Sequence, residues 1–135
     1  MLLACNQRAR TRSKVDVAIT PQVGPELITG STRLKAGTAT KLILNMLTIA
    51  TMVKLGKVYG NLMIDVRPTS RKLTARAVRI IQTLGGVSPQ RARQLLRQAH
   101  GGVKPAIVMA LRGVDFSTAQ RLLAQHDGLL RRILR

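Results

Sequence analysis

Apolar and polar residues follow three different patterns in the first half of this chain. Val15–Ile19 alternates apolar and polar and then turns apolar, which predicts a short strand with one covered edge. Leu34–Leu55 is apolar on nearly every side of a helix, which predicts a helix that is buried on more than one side and ends at Gly56. Tyr59–Val66 predicts a second strand or extended segment, closed by Pro68.

From Arg71 onward the pattern changes to short helices separated by glycines. Ser88 followed by Pro89 is typical of a helix start. Two segments of this half repeat each other, at the pairs Gly86 and Gly113, Leu95-Leu96 and Leu122-Leu123, and Gly102 and Gly128. The first two pairs are 27 residues apart and the last is 26 apart, so we predict two similar helix-turn-helix units, 86–112 and 113–135, with one residue deleted.

The composition favours an aliphatic and mostly helical core. With one Tyr, one Phe and no Trp, the core is left to Leu, Ile, Val, Met and Ala. Cys5 is the single cysteine, and with only two histidines the chain offers no spacing that resembles a metal site. We therefore expect a reducing, cytoplasmic setting. We also expect Leu42–Leu55 to be too short and too interrupted by polar residues to span a bilayer.

The net charge of +18 favours a polyanionic partner. Residues 67–135 hold most of the excess, with fourteen Lys and Arg against two Asp. Nucleic acid is one interpretation, although the isolated Tyr59 and Phe116 form no platform on which bases could stack. The other interpretation is that the arginines lie on solvated helix faces, as we expect for Arg76, Arg79, Arg91, Arg93 and Arg97.

The stretch GPELITGSTRLKAGTATK, Gly24–Lys41, places glycines, hydroxyls and cations just before the long helix. Free backbone N–H groups and the helix dipole suit an anion at such a place. Hydroxyls and cations can bind a phosphate or carboxylate, and Glu26 can bind sugar hydroxyls or orient Arg33. Alternatively, Ser31 merely caps the helix. The candidate binding residues are Glu26, Gly30, Ser31, Thr32, Arg33 and Lys35.

Gly24–Lys41 closely resembles the motif shared by N-acetylmuramic acid 6-phosphate etherases and the glucokinase regulatory protein. Residues 42–80 and the helical repeats are similar to the etherases in particular, and Leu3–Asn6 resembles the end of a preceding strand, while residues 7–14 fit poorly. The resemblance implies an α/β fold. Residues 1–66 would form the C-terminal part of a sugar isomerase-type sandwich with a parallel sheet. Residues 67–135 would form a small all-α domain of repeats that resemble ubiquitin-associated-type bundles.

The family's reaction, which the resemblance implies, cleaves the D-lactyl ether of N-acetylmuramic acid 6-phosphate in cytoplasmic recycling of the cell wall. It yields N-acetylglucosamine 6-phosphate and D-lactate, as a carbon–oxygen lyase without metal or cofactor, in a homodimer. The family's acid/base glutamates lie well before this motif, and Glu26 occupies a different position. We therefore expect a truncated, inactive chain with no catalytic residue of its own. A non-catalytic sugar-phosphate sensor and a basic nucleic-acid-binding helical protein are the alternatives.

Overall fold

The computed structural model describes residues 1–9 and 14–134, and the chain forms two compact units, Met1–Ala50 and Thr51–Arg135. Residues 10–13 and Arg135 lie outside the described residues, and with them much of the segment 7–14 that fits the family pattern poorly. The predicted domain boundary after Val66 stays a prediction.

A two-stranded parallel sheet begins the first unit. β1, Leu2–Leu3, pairs with β2, Ala18–Ile19. The strand predicted over Val15–Ile19 is therefore confirmed only in its last two residues. Val15 and Val17 are 39% and 53% exposed, so the residues before β2 have no covered face to favour a longer strand.

The long helix α1, Lys35–Lys54, confirms the predicted helix to within one residue at each end. The chain leaves the helix through Gly56, whose φ of 65° is left-handed. The prediction that α1 is buried on several sides is wrong, because none of its side chains is buried. A helix that is apolar all round needs partners on several sides to be buried. The other elements of the first unit are a sheet of two strands, each of two residues, and a loop, which are too small to cover it.

The length of α1 also corrects the bilayer argument. Seven residues precede Leu42 within the helix, and the resulting 20 residues are long and apolar enough to cross a membrane by length and composition. The expectation that this stretch is too short is therefore wrong. The helix carries Lys35, Lys41 and Lys54, and Asn45 interrupts its apolar residues.

The second unit begins with a β-hairpin where a single strand was predicted. β3, Val58–Tyr59, pairs antiparallel with β4, Leu62–Met63. The chain reverses at Gly60, whose φ of 58° suits the two-residue turns that join antiparallel strands. Of the strand or extended segment predicted over Tyr59–Val66, Tyr59 and Leu62–Met63 lie in strands. A single continuous strand is wrong, because Gly60 and Asn61 form the turn.

Five helices follow in the described part of this unit: α2 Arg71–Gly85, α3 Pro89–Gln98, α4 Val103–Arg112, α5 Phe116–Gln125 and α6 Leu130–Ile133. Side chains cap three of them, because Ser70, Ser88 and Asp115 each accept a hydrogen bond from the backbone N–H three residues on. With its small parallel and antiparallel sheets, this mostly helical chain is compatible with the α/β class.

The internal repeat keeps an offset of 27 throughout. Helices α3 and α5 begin 27 residues apart, and so do α4 and α6. The connection after α3 places Gly101 at φ 82°, and the connection after α5 places Gly128 at φ 69°. Each of these glycines donates its N–H to a leucine carbonyl five residues earlier. The predicted deletion is therefore wrong, since Gly128 matches Gly101 and not Gly102, which caps α4.

The core of the second unit forms where the helices approach closely at small residues. Alanines from four helices are completely buried: Ala77, Ala92, Ala106 and Ala119. At Gly85 an added Cβ would lie 2.7 Å from the Cβ of Ala110, so α2 and α4 are too close there for a larger side chain. Ile81 and Ile107 belong to the same core, and both are fully buried.

We predict that Ile107→Ala lowers the free energy of unfolding by about 2–5 kcal/mol, because it leaves a cavity in this core. Leu111→Ala, on the same helix but 42% exposed, is the matched control and should cost about 1 kcal/mol or less. Urea unfolding followed by circular dichroism measures both. Equal losses in the two variants would contradict the assigned buried face of α4.

Candidate functional site

The loop between β2 and α1 carries the predicted binding residues. It turns at Gly30, where φ is 83° and the Ser31 N–H donates to the Ile28 carbonyl at 3.1 Å, as expected of glycine in a type II turn. An added Cβ at Gly30 would meet nothing within 4 Å, so backbone conformation and not crowding requires glycine here.

Glu26 holds this loop to the start of α1. Its two carboxylate oxygens accept the backbone N–H groups of Lys35 and Ala36, each at 3.0 Å. These bonds, first the one from Ala36, lower the pKa of Glu26 below its ordinary value, and the charge of Lys35 adds to the effect. The capping side chain is therefore Glu26, nine residues before the helix, and not Ser31.

The helix start is consequently not open for an external anion through its backbone. The third N–H of the helix, at Gly37, donates to the Thr32 carbonyl at 3.0 Å. Because Glu26 takes the first two, the donors that the sequence predicted to be free are already bonded within the chain. An anion would have to bind through side chains, or displace the carboxylate.

Of the six predicted residues, the structure brings Glu26 and Thr32 into one cleft. The other four lie outside its lining: Gly30, Ser31, Arg33 and Lys35. Ser31 is half-buried, while Arg33 and Lys35 are exposed. No ion pair of Arg33 occurs among the residues that the structure describes, so its guanidinium is available to a ligand.

Three polar residues that sequence reasoning did not select also line this cleft, namely Cys5, Asn6 and Thr40. The Cys5 thiol lies 3.6 Å from the Ala36 carbonyl and 3.8 Å from the Thr40 hydroxyl. A signal for Cys5 and Asn6 was present, because they follow β1 and the carboxyl ends of parallel strands meet at one sheet edge.

The arrangement can bind polar ligands but is poorly suited to proton transfer. Hydroxyl, amide and thiol groups line the cleft, and the nearest carboxyl group belongs to Glu26. Since its lowered pKa keeps Glu26 ionised and both oxygens are bonded, it cannot serve as a general acid near neutral pH. Within residues 1–9 and 14–134, no three metal-ligating side chains lie together.

A loop of this kind at the start of a long helix defines a candidate binding site for a polar or anionic small molecule. No family model matches the chain. Over 132 residues, which are 98% of this chain, it is 51% identical to N-acetylmuramic acid 6-phosphate etherase 2 of Vibrio cholerae. It is 53% and 48% identical over the same length to N-acetylmuramic acid 6-phosphate etherases of Serratia proteamaculans and Rhodopirellula baltica.

These relatives confirm the resemblance seen in Gly24–Lys41 and extend it over nearly the whole chain. The chain spans 43% of the length of the Vibrio relative and 44% of the other two. It thus corresponds to less than half of such an etherase.

We predict that the amide protons of Lys35 and Ala36 lose their protection when Glu26 is protonated. Because the pKa of Glu26 is lowered from 4.5, its stabilising effect is complete above about pH 4.5 and is lost as the pH falls through the lowered pKa. Protection factors from amide hydrogen exchange, measured across this range, report the change.

Glu26→Gln should reduce the same protection at neutral pH and remove its pH dependence, because the amide offers one acceptor oxygen in place of two. Asp16→Asn, at an exposed carboxyl group, is the matched control and should change neither. Unchanged protection of both amides in Glu26→Gln would show that the carboxylate does not hold the loop.

Proposed function

We propose that this chain is part of an N-acetylmuramic acid 6-phosphate etherase, a carbon–oxygen lyase. The observation that carries the proposal is the identity of about half of the residues to proteins of that name, over 98% of this chain. The reaction would release D-lactate and N-acetylglucosamine 6-phosphate. It would serve amino sugar recycling in the cytoplasm.

In this proposal the loop before α1 contributes to binding the phosphorylated sugar. Arg33 can form two parallel hydrogen bonds to phosphate oxygens, and Lys35 adds positive charge beside it. Ser31 and Thr32 can donate hydroxyl hydrogen bonds. Glu26 acts as a positioning residue, since its hydrogen bonds to the first turn of α1 hold the loop against the start of the helix.

Catalysis would need groups that this chain does not supply. Elimination of lactate requires a base for the proton beside the open-chain aldehyde and an acid for the lactyl oxygen. Glu26 is the only glutamate of the chain, and both of its oxygens are bonded to the helix. We therefore propose that this chain by itself binds the product-like sugar phosphate without turning over the substrate.

The same proposal accounts for the exposed apolar residues of α1. In a sugar isomerase-type sandwich the parallel pair β1–β2 would continue into a larger sheet, and α1 would be covered by further etherase polypeptide. Leu42, Met46 and Ile49 are 51%, 60% and 62% exposed, which supports an additional covering partner. The complete enzyme would be a homodimer.

We predict that the purified chain binds N-acetylglucosamine 6-phosphate saturably and binds N-acetylglucosamine at least about tenfold more weakly, because charge-assisted bonds to phosphate are lost. Isothermal titration calorimetry measures both. Turnover of N-acetylmuramic acid 6-phosphate by this chain alone would contradict the assignment of catalysis to groups outside it. If the folded chain does not bind N-acetylglucosamine 6-phosphate, the proposal that the loop before α1 is sufficient for binding is wrong.

In a full-length etherase that contains this segment, Arg33→Ala should weaken sugar-phosphate affinity by about tenfold or more, and Lys35→Ala by less, with folding nearly unchanged. Lys54→Ala, at the far end of the same helix, is the control and should leave affinity unchanged. Equal affinities in all three variants would restrict the role of the loop to capping α1.

A further inference from the structure

A groove of the second unit carries three arginines from two neighbouring helices. Arg71 and Arg79 of α2 and Arg93 of α3 line it together, beside the hydroxyl-bearing residues Thr69 and Thr74. All three arginines are exposed. The groove lies in a different unit from the loop before α1, and the inference drawn from it does not rest on the function proposed above.

Among the described residues of the second unit, no carboxylate lines this groove or forms an ion pair with its arginines. The whole sequence has five acidic side chains, and the second unit contains three of them. Asp65 pairs with Lys57 at 3.2 Å, and Asp127 pairs with Arg132 at 2.6 Å. Asp115 caps α5 through the Thr118 N–H at 2.8 Å.

The positive charge continues beyond the groove along α2. Arg79 also lines a second cleft together with Arg76 and Asn61 of the hairpin turn. Guanidinium groups that share a cleft repel one another unless anions lie between them, and a concave surface concentrates their potential. Such a surface attracts a ligand with several regularly spaced negative charges more strongly than a single anion.

We propose that the groove between α2 and α3 binds the phosphate backbone of a nucleic-acid duplex. Arginine forks and threonine hydroxyls are the groups that proteins commonly use to contact phosphates without reading sequence. Single strands usually need aromatic side chains for stacking, and no aromatic residue lines either cleft. The lining also includes the apolar residues Pro68, Ala75, Val78 and Pro89, so an anionic lipid surface is the competing partner that the experiment below distinguishes.

Fluorescence anisotropy with a labelled duplex of mixed sequence, of about 20 base pairs, tests the proposal on the full chain at several salt concentrations. We expect saturable binding, and we expect the logarithm of the association constant to fall linearly with the logarithm of the salt concentration. Replacing the three arginines together, Arg71→Gln, Arg79→Gln and Arg93→Gln, should weaken binding by about tenfold or more and reduce the slope by about 2.7, which is 0.9 for each lost phosphate contact.

A charge-matched control separates the groove from net charge. Lys54→Gln, Arg121→Gln and Arg131→Gln remove three exposed cations of the same unit outside the groove and should change affinity much less. Circular dichroism confirms that both triple variants are folded. Equal losses in the two variants, no saturable binding at about 150 mM salt, or tighter binding to anionic vesicles or to a single strand would each overturn the proposal.

Discussion

Close approach of short helices is the constraint on which the second unit depends. Helices of ten residues are marginal in isolation, so α3, α4 and α5 are stabilised mainly by packing. In a chain almost without aromatic residues, this packing uses alanine and glycine where helices meet and isoleucine and leucine in the spaces between them. Gly85 against Ala110 shows how little room the crossing leaves. The same packing brings α2 and α3 together and so creates the arginine groove.

The first unit is organised by polar contacts and not by a core. Its described residues include no fully buried side chain. Its loop is held to the start of α1 by two hydrogen bonds that the carboxylate of Glu26 accepts from backbone N–H groups. The helix dipole and two backbone donors favour a negative charge at that position. The unit thus satisfies its own helix end, and it leaves apolar side chains of α1 exposed.

Acidic residues are scarce in both units. Glu26 and Asp115 cap helices, while Asp65 and Asp127 pair with basic side chains. Four of the five carboxylates therefore have local structural roles, and within residues 1–9 and 14–134 no arginine of α2 or α3 forms an ion pair. Most of the excess charge of the chain lies in residues 67–135, which include these arginines.

Features encoded within three or four residues were predictable from the sequence. The end of α1 at Gly56 and the start of α3 at Ser88 follow from local chemistry, because caps and turns bond to near neighbours. Contacts between distant residues decided the rest: Glu26 reaches Ala36 ten positions away, and burial of α1 depends on partners that its own pattern cannot supply. The alignment of the two repeats was also decided by the structure, because the spacing of glycines in the sequence does not tell which glycine adopts a positive φ.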